Sequence, residues 1–350
     1  MNSAAANRHH AIDAVRTVAL LLLIVYHALC NFQPWASDAY MIENPDHLEV
    51  LWIPMGLLNV WRMPILFLVS GMGVSFALKR RSARELITER SWRILMPLVF
   101  GSFTIGPLCW TLVSAHNGDG WIYYPTPYHL WFLGYIYFYV LASLPLLIWM
   151  HRSPENTILR AMRGLLQSWV FLIVFAIPGA LIAWITAPNH YANYAESVHG
   201  FVLGWWCFLL GFLCSCCIDD LKNATTRWWR WSAWSAFLLF VLRLLQDLVH
   251  TFLPLTALES MLWMMAVLGY AFEHWNTASP FLKRANAAVY PVYILHQPIT
   301  FILMLSLIDI PGWAFLKLLV VISGTLMVSL AITERLLKPM PRLRPVFGMK

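Results

Sequence analysis

An arginine and a histidine stand eleven positions apart at the two ends of one apolar run, Arg16 to His27 (RTVALLLLIVYH). In an α-helix, eleven steps of about 100° make roughly three turns plus 20°, so both side chains lie on one face. At about 1.5 Å per residue they are roughly 16 Å apart along the helix axis. That rise is about half the thickness of a bilayer core. If this run crosses a bilayer, both residues are functional candidates, because titratable groups inside a membrane are costly.

Three further residues are candidates for the same chemistry. Arg62 (in WRMPILFLVSG) and His296 (in YILHQP) are predicted near the middle of apolar segments, and His129 (in YHLWFL) at the outer edge of one. A neutral imidazole can accept a proton from a hydroxyl group, and a neighbouring arginine can stabilise an oxyanion. We expect His27 to act as the base and the other three to form an acyl or acceptor site. The alternatives are a hydrogen-bonded packing role for each histidine, and an interfacial aromatic belt for His129.

Other charged residues can be explained by a structural role as well as by a catalytic one. Asp13 and Arg16, three residues apart, could belong to the catalytic machinery or could form an interfacial ion pair. Arg243 and Asp247 have a spacing that favours a structural pair. Lys317 is predicted near the outer end of the last apolar segment.

A basic segment between the second and third apolar runs is the second functional feature. It contains Arg90 and Arg93, which are three apart and on an α-helix could present one face to a phosphate group. Ser70 and Gly71 precede it within the apolar run FLVSGMG, and glycines allow close approach of a helix or a ligand. We expect these four residues to bind a long polar donor. The alternative is that the basic segment only orients the helices in the membrane.

Composition places the chain in a membrane. It has 60% hydrophobic and 12% charged residues, with a mean hydropathy of +0.63. An ordinary soluble domain carries about 25% charged residues. The six cysteines lie in or beside apolar runs without a metal-binding spacing, which favours small apolar filler and predicts no metal site.

The fold class predicted from these patterns is all-α, a polytopic integral membrane helix bundle of about ten transmembrane helices in a single domain, residues 1–350. The apolar segments are each about 20 residues or longer, enough to cross a bilayer as a helix. Their approximate bounds are 14–34, 51–78, 93–114, 128–150, 167–187, 199–218, 231–249, 255–274, 287–308 and 313–335.

The basic residues are distributed asymmetrically between the connecting loops. Alternate loops, near 35–50, 115–127, 188–198, 250–254 and 309–312, contain no Lys or Arg. The positive-inside rule therefore predicts that both termini are cytoplasmic. The net charge of +7 reflects this asymmetry and indicates no nucleic-acid partner.

The sequence resembles the acyltransferase-3 superfamily of integral membrane acyltransferases, and within it the glucans biosynthesis protein C group. The matching pieces occur in order along almost the whole chain: AIDAVRTVALLLLIVYH, WRMPILFLVSG, TERSWRILMPLVFG, HLWFLGYIYFYVLA, AVYPVYILHQPITF and TERLLKPMPRLRPVFG. Arg16 and His27 match the essential R-x10-H motif of the family. Ser70 and Gly71 match its serine-glycine motif, with Met72 in place of the usual aromatic.

The resemblance also covers the reaction and the proposed donor clamp, which is the pair Arg90 and Arg93. Arg90 and Arg93 match the basic pair that the wider family often spaces R-x-R, and Glu334 matches a C-terminal glutamate. The resemblance implies ten membrane helices in a bacterial inner membrane and no permanently bound cofactor. It also implies acyl-CoA, as succinyl-CoA or acetyl-CoA, as the donor, and a periplasmic or cell-surface glucan or polysaccharide as the acceptor. A homo-oligomer is compatible with the sequence.

Two mechanisms and two rival functions remain open at this point. His27 could deprotonate the sugar hydroxyl, or it could carry the acyl group as a covalent intermediate. The rival functions are a multi-pass transporter or flippase of a carbohydrate-linked substrate, and a non-catalytic assembly or sensor protein. Against transport, no inverted repeat with paired broken helices is visible in the sequence.

Overall fold

The computed structural model describes residues 10–246, 248 and 251–349, and this described part contains helices and no strand. Its α-helices are α1 (His10–Cys30), α2 (Trp52–Leu78), α3 (Ala83–Arg90), α4 (Met96–Phe103), α5 (Ile105–His116), α6 (Trp131–Arg152), α7 (Thr157–Leu166), α8 (Phe171–Thr186), α9 (Val198–Cys216), α10 (Ile218–Leu245), α11 (Leu253–His274), α12 (Pro280–Leu307) and α13 (Ala314–Ile332). Two π-helical turns cover Ser91–Leu95 and Thr333–Leu337. Helices satisfy every backbone group internally, as a bilayer requires.

The predicted all-helical, polytopic membrane fold is confirmed, but with fewer clear spans than ten. Among the described residues, eight helical segments are long and apolar enough to cross a membrane, or nine if α7 and α8, bent by 119°, form one span. The predicted span 231–249 lies largely in α10, which does not qualify. The part of α10 that overlaps the predicted span carries Arg243, which is costly in a bilayer, and positions 247 and 249 of the span lie outside the described residues. The cytoplasmic position of the termini stays a prediction.

The chain forms two compact units. Unit 1 contains residues up to Ala19, Gly56–Ile87 and Phe138–Lys283. Unit 2 contains Leu20–Met55, Thr88–Tyr137 and the chain from Arg284 onwards. The single domain over 1–350 therefore stays a prediction.

Unit 1 is held by close helix packing between α2 and α9. A Cβ atom added at Gly71 would lie 1.9 Å from the carbonyl oxygen of Phe208, and one at Gly211 would lie 1.9 Å from that of Leu68. Only glycine fits at these positions, because any side chain would push the two backbones apart.

Arg243 forms a buried ion pair in unit 1. Arg243 donates to both carboxylate oxygens of Glu259 on α11, from Nε at 2.7 Å and from Nη2 at 2.9 Å. Nη2 also donates to the carbonyl oxygen of Gly56 at 2.8 Å. Asp247 lies outside the described residues, so the Arg243–Asp247 pair stays a prediction. An acid on another helix completes a bidentate pair that helical spacing alone does not reveal.

Unit 2 packs around side chains of α1, α5, α12 and α13. Its core includes Phe32, Cys109 and Phe301, all fully buried. Five of the six cysteines of the chain are buried, as expected for apolar filler, and Cys216 is partly exposed. The core gives α1 and α12 a fixed contact, which positions the candidate site described below.

Lys317, predicted near the outer end of the last span, forms an ion pair with the loop after α1. Its Nζ donates to Asp46 Oδ2 at 2.8 Å and to Asn44 Oδ1 at 3.4 Å, and its side chain is 4% exposed. The hydrogen bond from Lys317 holds the pKa of the Asp46 carboxyl below its ordinary value. The pair therefore connects the loop to α13.

The Asp46–Lys317 pair predicts acid sensitivity. A lowered folded-state pKa means that the pair stabilises the fold above the pKa of an unfolded aspartate, and that this contribution is lost as the pH falls through the folded-state value. We expect Asp46→Asn to lower the melting temperature at neutral pH and to differ little from wild type in acid. Thermal unfolding in detergent across pH measures this, with Asp38→Asn, an exposed carboxylate of the same loop, as control. A difference that stays constant with pH would contradict the prediction.

Candidate active site

Two imidazole rings from opposite ends of the sequence meet in unit 2. His27 Nδ1, in the last turn of α1, lies 2.9 Å from His296 Nε2 in α12. The rings are nearly parallel, with centroids 5.2 Å apart and planes inclined by 12°. His296 is fully buried and His27 is partly exposed. The pair therefore has one fully buried member and one partly exposed member.

A third histidine packs against the fully buried member of this pair. The ring of His129 is 5.0 Å from that of His296 and nearly perpendicular to it. His129 Nε2 donates to the carbonyl oxygen of Ile294 at 3.2 Å, and the Tyr293 hydroxyl donates to the carbonyl oxygen of His129 at 2.6 Å. The three histidines, which the sequence assigned to separate spans, thus form one cluster.

The hydrogen-bond partners determine which nitrogen carries each proton when the rings are neutral. His296 Nδ1 lies 2.6 Å from the carbonyl oxygen of Tyr293, which can only accept, so this nitrogen is protonated. His296 Nε2 is then the acceptor, and His27 Nδ1 must donate to it. The basic lone pair of His27 is consequently on Nε2, the nitrogen on the opposite side of its ring.

Arg16 and Asp13 lie on the same helix as His27 but within unit 1. Arg16 Nη1 is 3.8 Å from Asp13 Oδ1, and both side chains are partly exposed. A Cβ atom at Gly73 would lie 3.3 Å from Arg16 Nη2, so this glycine leaves room for the guanidinium. The predicted ion pair forms, and the catalytic role of either residue stays a prediction.

The predicted donor clamp begins at the end of α3 in unit 2. Arg90 is the last residue of α3, and Arg93 lies within the π-helical turn Ser91–Leu95. The one-face geometry expected for Arg90 and Arg93 assumed a continuous α-helix, whereas Arg93 lies in a wider π-turn, and donor binding by the two residues stays a prediction. Arg93 Nη1 bonds Glu89 at 3.4 Å, and its Nε is buried without a hydrogen-bond partner among the described residues. Single π-turns are frequent at functional sites.

Comparison with known proteins decides the family. The sequence matches the acyltransferase-3 family, described as an acyltransferase domain, over residues 9–334. The chain belongs to this family. It is therefore a multi-pass membrane protein with an acyltransferase domain. No curated relative and no solved structure matches the chain.

The acyltransferase-3 match includes every residue that the sequence nominated for chemistry. The other donor candidates, Ser70 and Gly71, lie on α2 in unit 1. The Ser70 hydroxyl donates to the carbonyl oxygen of Leu66 at 2.7 Å, and the Gly71 position is filled by backbone of α9. Close packing thus accounts for the glycine, and donor binding by either residue stays a prediction.

Arg62 and Glu334 lie on elements other than those that carry the histidine cluster. Arg62 lies on α2 in unit 1 and is 3% exposed. Glu334 lies in the C-terminal π-turn and forms an exposed ion pair with Lys338. The predicted role of Arg62 at an acyl or acceptor site stays a prediction.

Sequence reasoning missed two residues of the acyltransferase-3 chain that the structure makes prominent. Tyr293 holds both His296 and His129, and its position one helical turn before His296 was the available signal. Glu259 pairs with Arg243, and an acidic residue inside the apolar run LTALESMLWMM was the signal there.

Proposed function

We propose that this acyltransferase-3 protein moves an acyl group, succinyl or acetyl, from cytoplasmic acyl-CoA to a hydroxyl group of a periplasmic or cell-surface glucan or polysaccharide in a bacterial inner membrane. The observation that carries the proposal is the 2.9 Å contact between His27 Nδ1 and His296 Nε2. It orients the basic nitrogen of His27 away from its partner. A correctly oriented neutral imidazole is the usual base for activating a hydroxyl group.

The chemical step follows from this geometry. His27 Nε2 takes the proton of the acceptor hydroxyl while the hydroxyl oxygen attacks the thioester carbonyl carbon. The tetrahedral intermediate collapses and expels the CoA thiolate. His27 returns the proton to this thiolate, so the products are an O-acyl ester of the acceptor and CoA thiol. His296 accepts the Nδ1 hydrogen bond throughout and so holds the ring in one tautomer.

The donor is expected to enter from the cytoplasmic side. Arg90 and Arg93 would bind its phosphates. The buried Nε of Arg93, which has no acceptor among the described residues, supports an anionic ligand at this turn. The rise of roughly 16 Å from Arg16 to His27 suits a pantetheine arm that spans about half of the bilayer.

An assay with purified protein tests the proposed function. The protein, reconstituted in nanodiscs, is mixed with succinyl-CoA or acetyl-CoA and a neutral glucan oligosaccharide. We expect release of CoA thiol that depends on the glucan, and a glucan whose mass increases by one acyl group. A transporter would instead move the glucan across liposomes without consuming either donor, and that result would exclude the proposal.

Two variants of His296 distinguish a role in orienting the His27 ring from a role in packing. We expect His296→Leu to lower kcat by about 10²-fold to 10³-fold, because His27 Nδ1 loses its acceptor and both tautomers become available. His296→Gln keeps a side-chain oxygen at that place and should recover part of the loss, while the KM values for both substrates change little. Steady-state kinetics across pH measure this difference. Equal losses in the two variants would contradict the orienting role.

A further inference from the structure

Three aromatic rings of unit 2 stack in a row outside the helical core. The rings of Tyr40 and Trp110 have centroids 4.7 Å apart and planes inclined by 26°. The rings of Trp110 and Tyr124 have centroids 4.8 Å apart and planes inclined by 43°. Tyr40 and Tyr124 are 53% and 52% exposed. The two tyrosines of the row are therefore only partly covered by the protein.

The backbone around this row is strained. Tyr40 has φ +54° and Tyr128 has φ +49°, in the left-handed region that bulky residues rarely adopt. The Tyr128 hydroxyl donates a hydrogen bond to the carbonyl oxygen of Tyr40. Such strain persists only where the surroundings enforce it, and it is concentrated at functional sites.

The two strained residues, Tyr40 and Tyr128, connect the aromatic row to the histidine cluster. Tyr128 directly precedes His129, and their rings are 6.2 Å apart. His129 in turn lies against His296. A series of contacts within unit 2 therefore joins the row to the residues proposed to activate a hydroxyl group.

The charges around the row select a class of ligand. The loops near 35–50 and 115–127 contain no Lys or Arg, and Asp38 and Asp119 are exposed on them. Carboxylates accept hydrogen bonds from hydroxyl groups and repel anions. Aromatic faces bind the C–H face of a sugar ring, because their π-electrons attract its polarised hydrogens. These features together favour an uncharged polyhydroxylated ring over a phosphorylated or sulfated one.

We propose that Tyr40, Trp110 and Tyr124 bind a pyranose ring of a neutral carbohydrate and present the next sugar to the histidine cluster. This inference rests on the proposed function, because the bound carbohydrate is the acyl acceptor. The inference adds where the acceptor binds and states that the bound carbohydrate is uncharged.

Binding without a donor tests the proposal independently of catalysis. The full chain in nanodiscs is titrated with a neutral glucan oligosaccharide, and the dissociation constant is measured by saturation-transfer NMR. The main variant is Tyr40→Gly, because glycine adopts the left-handed backbone without strain and keeps the carbonyl that Tyr128 bonds. Tyr40→Phe keeps the ring. Trp121→Ala is the matched control, since Trp121 is 81% exposed in the same region and has no described ring contact.

We expect Tyr40→Gly to weaken glucan binding about tenfold, with Tyr40→Phe and Trp121→Ala close to wild type. Unchanged binding in Tyr40→Gly would overturn the proposal. Equal weakening in Trp121→Ala would also overturn it and would indicate a general interfacial aromatic belt. Glucan binding that depends on Tyr40 in a protein that transfers no acyl group would support this site and contradict the proposed function. Acyl transfer to glucan without binding on the row would support the proposed function and contradict this site.

Discussion

Replacing His27 with alanine should lower the rate of acyl transfer by about 10³-fold, while the protein keeps its fold. The loss is large because His27 Nε2 would be the only group in the proposed step that accepts the hydroxyl proton. Folding should survive because His27 is partly exposed. Initial rates of CoA thiol release in the presence of glucan measure the effect.

His27→Gln sharpens the same experiment. The glutamine amide can still donate to His296 Nε2, but it cannot accept a proton, so we expect it to be as inactive as alanine. The matched control is His116→Ala, since His116 is an exposed histidine of the same unit with no proposed role. A glutamine variant with near-normal turnover would exclude His27 as the base.

Single turnover without glucan distinguishes the two roles left open for His27. A covalent intermediate should appear as protein heavier by one acyl group after mixing with acyl-CoA, and it should be absent in His27→Ala. Direct attack by the hydroxyl requires no such species. Intact-protein mass spectrometry of rapidly quenched samples reads this directly.

Breaking the buried ion pair of unit 1 should have the largest effect on stability. Arg243 and Glu259 are 5% and 1% exposed, so either residue alone would leave an uncompensated charge in an apolar interior. We expect Glu259→Ala to lower the free energy of unfolding by about 3–5 kcal/mol. Thermal unfolding in detergent, followed by intrinsic fluorescence, measures the loss.

A double variant tests the cause of that loss. Arg243→Met with Glu259→Leu removes both charges and keeps much of the volume, so most of the stability should return. The exposed pair between Arg163 and Glu155 is the control, and Glu155→Ala should cost about 1 kcal/mol or less. A double variant as unstable as Glu259→Ala would show that packing, and not unpaired charge, causes the loss.

Much of the fold was predictable because its determinants are local in sequence. Apolar runs long enough to cross a bilayer identify α1, α2 and α12 directly, since a lipid environment leaves helices as the natural solution. The same local reasoning predicted a span over 231–249, but α10, which covers most of it, is not among the helices that qualify. It also missed the π-turn at Ser91–Leu95, because hydrophobic periodicity does not reveal one extra residue in a turn.

The sequence alone determined that the chain is a helical membrane protein of the acyltransferase-3 type with Arg16 and His27 on one helix. These properties depend on composition and on spacing within a single segment. Only the tertiary structure decided that His296 and His129 meet His27, that Tyr293 sets the proton positions, and that Glu259 is the partner of Arg243. Residues 269 positions apart, such as His27 and His296, come together through packing. No periodicity along one helix encodes which faces of two helices will pack against each other.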